Sequence, residues 1–196
     1  MRNITRIMLT YLLNNLPHLF VTNNIKNRKN IMLVLPQYEF YYLALHLKLS
    51  TTWYSTQLID IFSYSVPTAL PTTDSDASSK YSRSSDSVIA YNFHTVINQE
   101  RLFVFTWDGL NASEDSNPSR LKSISHLYAN AAWLEREAAE MSGVVFEGKA
   151  DLRNLLLPYG DSTSPLKKSF PSTGFKEIFY DINNDMLIQA PVSLQI

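Results

Sequence analysis

Runs of apolar residues divide the first part of the chain into three predicted elements. Ile31–Leu35 is a continuous apolar run that ends at Pro36, which is typical of a buried strand. Gln37–Leu49 repeats large apolar residues at helical spacing and predicts an α-helix. Thr56–Val66 alternates poorly but is rich in β-branched and aromatic residues, which favours a strand.

Two hairpins are predicted farther along the chain. Val88–Ile97 alternates between apolar and polar residues, and Arg101–Trp107 follows after a short turn as a second apolar run. Such a pair of runs indicates an antiparallel hairpin. Phe175–Asp181 and Met186–Pro191 flank an Asn-Asn-Asp turn and predict a second hairpin.

Two more helices are predicted between the hairpins. Pro118 suits the first position of a helix, and a helical pattern then continues to Met141, with a break near Ala129. Gly143 is placed to end this helix. Asp151–Leu157 predicts a short helix, since its first residue would lie at the positive end of the helix dipole. The order of elements predicts an α+β fold with a mostly antiparallel sheet and flanking helices.

The same pattern divides the chain into three parts. Residues 1–30 carry basic but no acidic residues, and their uncharged stretch Ile7–Ile25 contains too many asparagines for a convincing membrane span. We interpret 1–30 as an arm that docks on a partner, in preference to a mitochondrial targeting segment. Residues 31–160 form the α+β domain, in which the Ser- and Thr-rich Ser65–Ser87 is an inserted surface loop. Residues 161–196 form an extended C-terminal segment with the second hairpin.

Composition excludes several classes of function. The chain has 196 residues, of which 45% are hydrophobic, and a formal net charge of −1, so it has no basic field for nucleic acid. It has no cysteine, which excludes cysteine-ligated iron–sulfur clusters and thiolate nucleophiles. Its histidines lack metal-ligand spacing, and its five glycines form neither a phosphate loop nor a dinucleotide fingerprint. We therefore expect no metal or cofactor bound by this chain.

The densest acidic region admits two interpretations. Glu135, Glu137, Glu140 and Asp151 could supply a general acid and a general base, as in carboxylate enzymes. Alternatively they form a charged helix face or an interface network, in which Arg136 lies four residues from Glu140. We favour the second interpretation, because no signal of a pocket accompanies these residues.

A small basic pair follows in the C-terminal segment. Lys167 and Lys168 lie between Pro165 and Phe170-Pro171. Two lysines neutralise too few phosphates for useful affinity to nucleic acid. We interpret this stretch as a loop that docks on an acidic partner.

The stretch Trp133–Gly160 reads WLEREAAEMSGVVFEGKADLRNLLLPYG and resembles the signature of the 30-kilodalton subunit family of respiratory complex I, the NADH:ubiquinone oxidoreductase. A second block resembles the family's Pro-Leu, two basic residues and Phe-Pro. Ser142, Ser164 and Ser169 depart from the residues usual in the family. The matching positions, which the resemblance marks as signature or interface residues, are Trp133, Glu135, Arg136, Glu137, Glu140, Gly143, Phe146, Gly148, Lys149, Asp151, Leu152, Arg153, Tyr159, Gly160, Pro165, Leu166, Lys168, Phe170 and Pro171.

This resemblance implies a redox-inactive structural and assembly subunit of the peripheral arm, on the matrix side of the mitochondrial inner membrane. It implies no catalytic, cofactor-binding or metal-binding residue in this chain. FMN, iron–sulfur clusters, NADH and ubiquinone are bound elsewhere in the complex, which also pumps protons. The implied partners are the large, 49-kilodalton-type subunit at the quinone site and other peripheral-arm subunits, with no nucleic acid and only indirect contact with the membrane.

Two alternatives remain open. The chain could be the equivalent subunit of a related NDH complex or of a membrane-bound hydrogenase. It could also be a free-standing acid/base enzyme that uses Glu135, Glu137 or Asp151. A carboxyl group with a strongly raised pKa in a concave pocket would favour the enzyme.

Overall fold

A five-stranded sheet and two helices carry most of the hydrophobic core. The computed structural model describes residues 20–23, 30–49, 56–66, 86–96, 100–108 and 121–193. The described strands are β1 Phe20–Asn23, β2 Asn30–Val34, β3 Thr56–Val66, β4 Asp86–Thr95, β5 Glu100–Asp108, β6 Leu121–Lys122, β7 Phe146–Glu147, β8 Lys176–Asp181 and β9 Met186–Pro191. The described helices are α1 Gln37–Leu49 and α2 Ala131–Ser142. The predicted α1 and β3 are confirmed at both of their ends.

The main sheet has the strand order β1-β2-β5-β4-β3. β4 pairs antiparallel with β3 and with β5, and β1 pairs antiparallel with β2. Only β2 and β5 run parallel among these pairings. The predicted α+β class with a mostly antiparallel sheet is therefore confirmed, and so is the hairpin of β4 and β5.

The hydrophobic core lies where α1 and α2 cover one face of this sheet. Tyr91 and Phe93 of β4 are fully buried there, and Phe40 of α1 stacks on Tyr91 with ring centroids 4.0 Å apart. Burying one such side chain stabilises the fold by about 1.5–3 kcal/mol. Val88 and Ala90, on the other face of β4, are buried as well.

The helix predicted from Pro118 to Met141 is only partly correct. Residues 118–120 lie outside the described residues, and Leu121–Lys122 forms β6, which pairs in parallel with β7. The Ser123 N–H continues this pairing by donating to the carbonyl oxygen of Glu147 at 2.9 Å. Helix α2 begins only at Ala131. Pairing with a distant strand has overridden the local helical pattern at 121–123, and turns occupy 125–127 and 129–130.

The end of α2 is as predicted. Gly143 adopts a left-handed conformation, with φ of 67°, and its N–H donates to the carbonyl oxygen of Ala139 at 2.8 Å. A side chain at this position would also meet the Lys167 ammonium and the Ser164 hydroxyl. The left-handed backbone conformation therefore favours glycine at this position.

The short helix predicted over Asp151–Leu157 is wrong. These residues form an extended stretch followed by bends. A helix would direct their N–H groups to carbonyl oxygens four residues earlier. The N–H groups of 155–157 instead donate to the side chain of Glu140, so a side chain of α2 has replaced helical hydrogen bonding here.

Strands β8 and β9 pair antiparallel and confirm the second predicted hairpin. The predicted surface loop lies outside the described residues between 67 and 85, and so do residues 1–19 and 24–29 of the predicted arm. Residues 20–23, which the sequence pattern assigns to that arm, form β1 at the edge of the main sheet. Within the described ranges, no helix has the length and apolar character needed to cross a membrane.

Candidate functional site

A buried ion pair lies at the centre of the region that carries the signature. Glu135 of α2 is fully buried and lies 3.0 Å from the ammonium of Lys149, which is also buried. Its carboxylate additionally accepts hydrogen bonds from the Ser123 hydroxyl at 2.6 Å and the Ile124 N–H at 2.8 Å. Lys149 donates a further bond to the carbonyl oxygen of Ala132 at 2.9 Å. The prediction that Glu135 lies on a charged outer face of the helix is therefore wrong.

Arg136, the next residue of α2, holds the segment that follows β7. Its guanidinium donates to the carbonyl oxygens of Arg153 at 2.8 Å and of Asn154 at 3.0 Å. It also lies 3.4 Å from the carboxylate of Asp151. Hydrogen bonds from the side chain and then the backbone of Arg153, together with the charge of Arg136, hold the pKa of Asp151 well below its usual range. Asp151 is thus ionised at neutral pH.

Glu140 lies one helical turn after Arg136 and binds the same segment. Its carboxylate accepts hydrogen bonds from the N–H groups of Leu155 at 2.9 Å, Leu156 at 3.0 Å and Leu157. Partial burial acts to raise the pKa of Glu140, but these three donors and the charge of Arg136 outweigh it and lower the pKa below its ordinary value. Lowered pKa values at Glu140 and Asp151 are the reverse of what a general acid at neutral pH requires.

The segment held in this way, residues 151–160, is the signature loop. Its own side chains complete the hydrogen bonding, since Asn154 donates to the carbonyl oxygens of Pro158 at 2.9 Å and Asp161 at 3.1 Å. Three large apolar side chains of the signature loop nevertheless point into solvent. Their exposed fractions are 70% for Leu152, 59% for Leu156 and 81% for Tyr159.

A cleft of about 250 Å³ lies between α2, the signature loop and residues 161–164. Polar side chains that line it include Arg136, Glu140 and Asn154, all of which are hydrogen-bonded within the chain. Leu152 and the exposed Val145 supply apolar lining. Nowhere among the described residues do three histidine or carboxylate side chains converge as metal ligands would.

The remaining positions of the signature are core, turn and surface residues. Phe146 is buried, and Lys149 lies 5.9 Å from the centroid of its ring. Gly148 and Gly160 have positive φ angles, at turns. Trp133 and Glu137 are exposed on α2. Their exposure leaves both side chains accessible to a partner.

The basic pair of the C-terminal segment is separated in the structure. Lys167 packs against Gly143 at the end of α2, where the helix dipole is negative. Lys168 is exposed. Leu166, which precedes them, donates its N–H to the carbonyl oxygen of Met141 at 2.9 Å. The structure thus gives Lys167 an intramolecular position and leaves Lys168 accessible to a partner.

The C-terminal hairpin carries apolar side chains on both of its faces. Phe170 and Phe175 pack edge to face before it, with ring centroids 5.1 Å apart. Successive residues Ile178 and Phe179 point to opposite faces of β8, and both are exposed. A two-stranded hairpin is marginally stable by itself in water. A surface of another protein against the hairpin would supply the missing burial.

Several residues of this site carry no signal in the sequence. Ser123 and Asn154 make its key hydrogen bonds from outside the helix, and their bonding partners are distant or backbone groups. A serine and an asparagine in polar stretches are ordinary loop residues. Only the folded structure shows that Ser123 and Asn154 differ from ordinary loop residues.

Comparison with known proteins connects this region to a family. Residues 35–176 match the family described as respiratory-chain NADH dehydrogenase, 30 Kd subunit. The chain is 35% identical over 106 residues to NADH-ubiquinone oxidoreductase subunit 9 of Dictyostelium discoideum, covering 54% of this chain and 47% of that protein. It is 36% identical over 113 residues to the mitochondrial NADH dehydrogenase (ubiquinone) iron-sulfur protein 3 of Candida albicans, covering 58% and 38%.

A bacterial relative and a solved structure extend the comparison. An NADH-quinone oxidoreductase subunit of a Jannaschia species is 47% identical over 74 residues, which cover 38% of this chain and 36% of that protein. In each of these three relatives, the match spans less than half of the relative's length. A chain in the structure of the membrane-bound sulfane sulfur reductase, an archaeal respiratory membrane complex, aligns with a TM-score of 0.54 at 14% identity, over 82% of this chain and 79% of that one. At that identity the likeness concerns the fold.

Proposed function

Since the chain belongs to the family of the respiratory-chain NADH dehydrogenase 30 Kd subunit, we propose that it is a redox-inactive structural and assembly subunit of mitochondrial NADH:ubiquinone oxidoreductase. It lies in the peripheral arm, on the matrix side of the inner membrane, and supports the quinone-binding module. Its relatives named as NADH-ubiquinone oxidoreductase subunits and as a mitochondrial protein support this assignment.

One observation carries the structural role. The signature charges Glu135, Glu140 and Asp151 are all bound inside the chain, while large apolar side chains of the signature loop and the hairpin are exposed. A catalyst needs accessible groups with suitable pKa values, whereas an assembly subunit needs apolar surface for its partners. The distribution of charge and exposure supports the second.

In this proposal, the whole complex catalyses electron transfer from NADH to ubiquinone, and this chain does not. Other subunits bind FMN, the iron–sulfur clusters, NADH and ubiquinone, and the complex couples electron transfer to proton pumping. The principal partner is the large, 49-kilodalton-type subunit at the quinone site, together with further peripheral-arm subunits. The absence of cysteine in the sequence supports this division, because the chain has no thiolate for a cluster.

A second candidate function is the same family role in a different enzyme complex. The bacterial relatives are named as NADH-quinone oxidoreductase subunits, and one of them is 47% identical over 74 residues. An equivalent subunit of a related NDH or membrane-bound hydrogenase complex therefore remains the alternative. The identity of the co-assembled subunits separates the two.

The test is a gentle affinity purification through this chain from native membranes. The recovered material is resolved on a native gel, stained for NADH dehydrogenase activity and identified by mass spectrometry. We expect a large NADH-oxidising assembly with iron–sulfur subunits and a quinone-site subunit. Recovery of a hydrogenase-type assembly would favour the alternative, and recovery of a lone monomer from intact membranes would contradict both.

A further inference from the structure

The signature loop has the properties of a surface that becomes buried in a protein–protein interface. We propose that it is a docking site for an apolar, uncharged surface of a neighbouring subunit, which packs against the exposed side chains of Leu152, Leu156 and Tyr159. This inference rests on the proposed function, because it names the contact through which the chain joins its complex. Arg136 and Glu140 act in it as positioning residues.

Six backbone groups of residues 153–157 are hydrogen-bonded to side chains of this chain. Carbonyl oxygens of 153 and 154 are bound by Arg136, and the N–H groups of 155–157 are bound by Glu140. Asn154 binds two more carbonyl oxygens. An irregular segment ordinarily leaves such groups to water and therefore cannot be buried without loss. These groups of the signature loop keep their partners when water is excluded.

The charged side chains around the signature loop balance one another. Asp151 lies 2.9 Å from the Arg153 guanidinium and 3.4 Å from that of Arg136. Glu140 is bound by three N–H groups and lies near Arg136. Asp161, which also lines the cleft, accepts the N–H of Thr163 and lies near Lys176. Three carboxylates and three basic side chains thus balance in charge. Because this surface has no net charge to attract a strongly charged protein or an anionic lipid surface, the matching partner surface is uncharged.

The signature loop exposes large apolar side chains. Leu152, Leu156 and Tyr159 are 70%, 59% and 81% exposed. Loops that stay in solvent are ordinarily polar, and tyrosine is among the residues enriched at the centres of protein interfaces. A loop with these hydrogen-bonded backbone groups and exposed apolar side chains fits an apolar protein surface.

The cleft beside the signature loop contributes only part of the apolar surface. Its volume of about 250 Å³ lies below the roughly 300–1,000 Å³ of small-molecule sites. Nine of its fourteen lining residues are polar or charged, whereas Leu152 and Val145 are apolar and exposed. Here the proposed contact is therefore with these two side chains and not with the cleft as a whole.

The test changes the surface of the full-length chain without changing its core. We compare co-purification of the assembly through the wild-type chain and through the double variant Leu152→Ser/Tyr159→Ser. Because central apolar contacts dominate interface energies, we expect the variant to recover about ten-fold less assembly per chain. The matched control is Leu49→Ser at the end of α1, which is equally exposed at 70% and should recover the wild-type amount.

A second measurement does not depend on the variant's stability. A photo-crosslinking phenylalanine analogue at position 159 is expected to label an apolar, uncharged segment of another subunit in the assembled complex. Labelling of a second copy of this chain, of lipid, of a charged segment or of nothing would overturn the proposal. So would wild-type recovery by the double variant.

The two proposals fail in different ways. If the wild-type chain recovers no assembly, the proposed function itself is wrong. If the wild-type chain recovers it and position 159 remains unlabelled, only the docking site is wrong. Labelling at 159 with loss of assembly in the double variant, and not in Leu49→Ser, establishes the docking site.

Discussion

At the residue scale, the carboxylate of Glu140 controls the path of the chain after β7. Three successive N–H groups donate to it, and they have no helical acceptor because 155–157 form bends. Its pKa is lower in the folded protein than its ordinary value of 4.5. A lowered folded-state pKa stabilises the fold above the ordinary value, and the stabilisation is lost as the pH falls through the folded-state pKa.

We therefore predict a loss of stability in acid that depends on Glu140. The free energy of unfolding should fall as the pH is lowered below 4.5, and Asp151, with an ordinary value of 3.8, adds a loss of the same sign. Glu140→Gln should make this fall shallower, whereas Glu137→Gln on the exposed side of α2 should leave it unchanged. Urea unfolding at a series of pH values measures it. Equal slopes for all three proteins would contradict the role of Glu140.

The ion pair of Glu135 and Lys149 permits a second prediction at this scale. Lys149→Met leaves a buried carboxylate without its counter-ion, which should lower the free energy of unfolding by about 3–5 kcal/mol. Adding Glu135→Gln removes the uncompensated charge and keeps an oxygen for the N–H of Ile124, so the double variant should be more stable than Lys149→Met alone.

Denaturant unfolding of the two single variants and the double variant, analysed as a cycle, measures this coupling. Lys168→Met, at an exposed lysine, is the control and should change stability by less than about 0.5 kcal/mol. A Lys149→Met variant as stable as the control would show that the pair contributes nothing.

At the scale of elements, side chains of α2 bind the signature loop through hydrogen bonds. Arg136 and Glu140 are four residues apart and therefore lie on one side of the helix. One binds carbonyl oxygens and the other binds N–H groups of the same segment. The buried face of the helix, which carries Glu135, faces the core instead. A single helix thus joins the core to the proposed docking surface.

We predict that Arg136→Ala weakens assembly more than it affects catalysis. It removes the donors to Arg153 and Asn154 and one partner of Asp151, which releases the signature loop from α2. The amount of assembled complex should fall, while quinone reductase activity per assembled complex stays at the wild-type level. Native gels and activity assays on the purified complex measure both. A fully assembled variant without quinone reductase activity would refute this role.

At the scale of the whole molecule, the described structure combines a well-packed domain with an unprotected hairpin. The core residues of β4 are fully buried, whereas most of β8 and β9 is exposed on both faces. Each strand of the hairpin pairs only with the other within the described sheets. The hairpin therefore buries less apolar surface within the described structure than the domain does.

Hydrogen exchange should reveal this difference. In the free chain, we expect amides of β8 and β9 to exchange at least about 100-fold faster than those of β4, because local opening of the hairpin exposes little additional apolar surface. In the assembled complex the hairpin amides should be protected. Mass spectrometry of exchanged peptides measures both states. Equal protection of β4 and the hairpin in the free chain would show that the hairpin is stable without a partner.

The amino-acid sequence alone determined the elements whose patterns are satisfied locally. α1 and β3 have the predicted bounds, and Gly143 ends α2 as predicted, because spacing and backbone preference act between neighbours in the chain. The signature likewise sufficed for the family, since it is a contiguous run. Only the tertiary structure decided which of its charges are internal. Glu135 bonds Lys149 14 residues away, and Glu140 bonds Leu157 17 residues away. Such partners meet only after β6, α2 and β7 have packed, so no local pattern can reveal them.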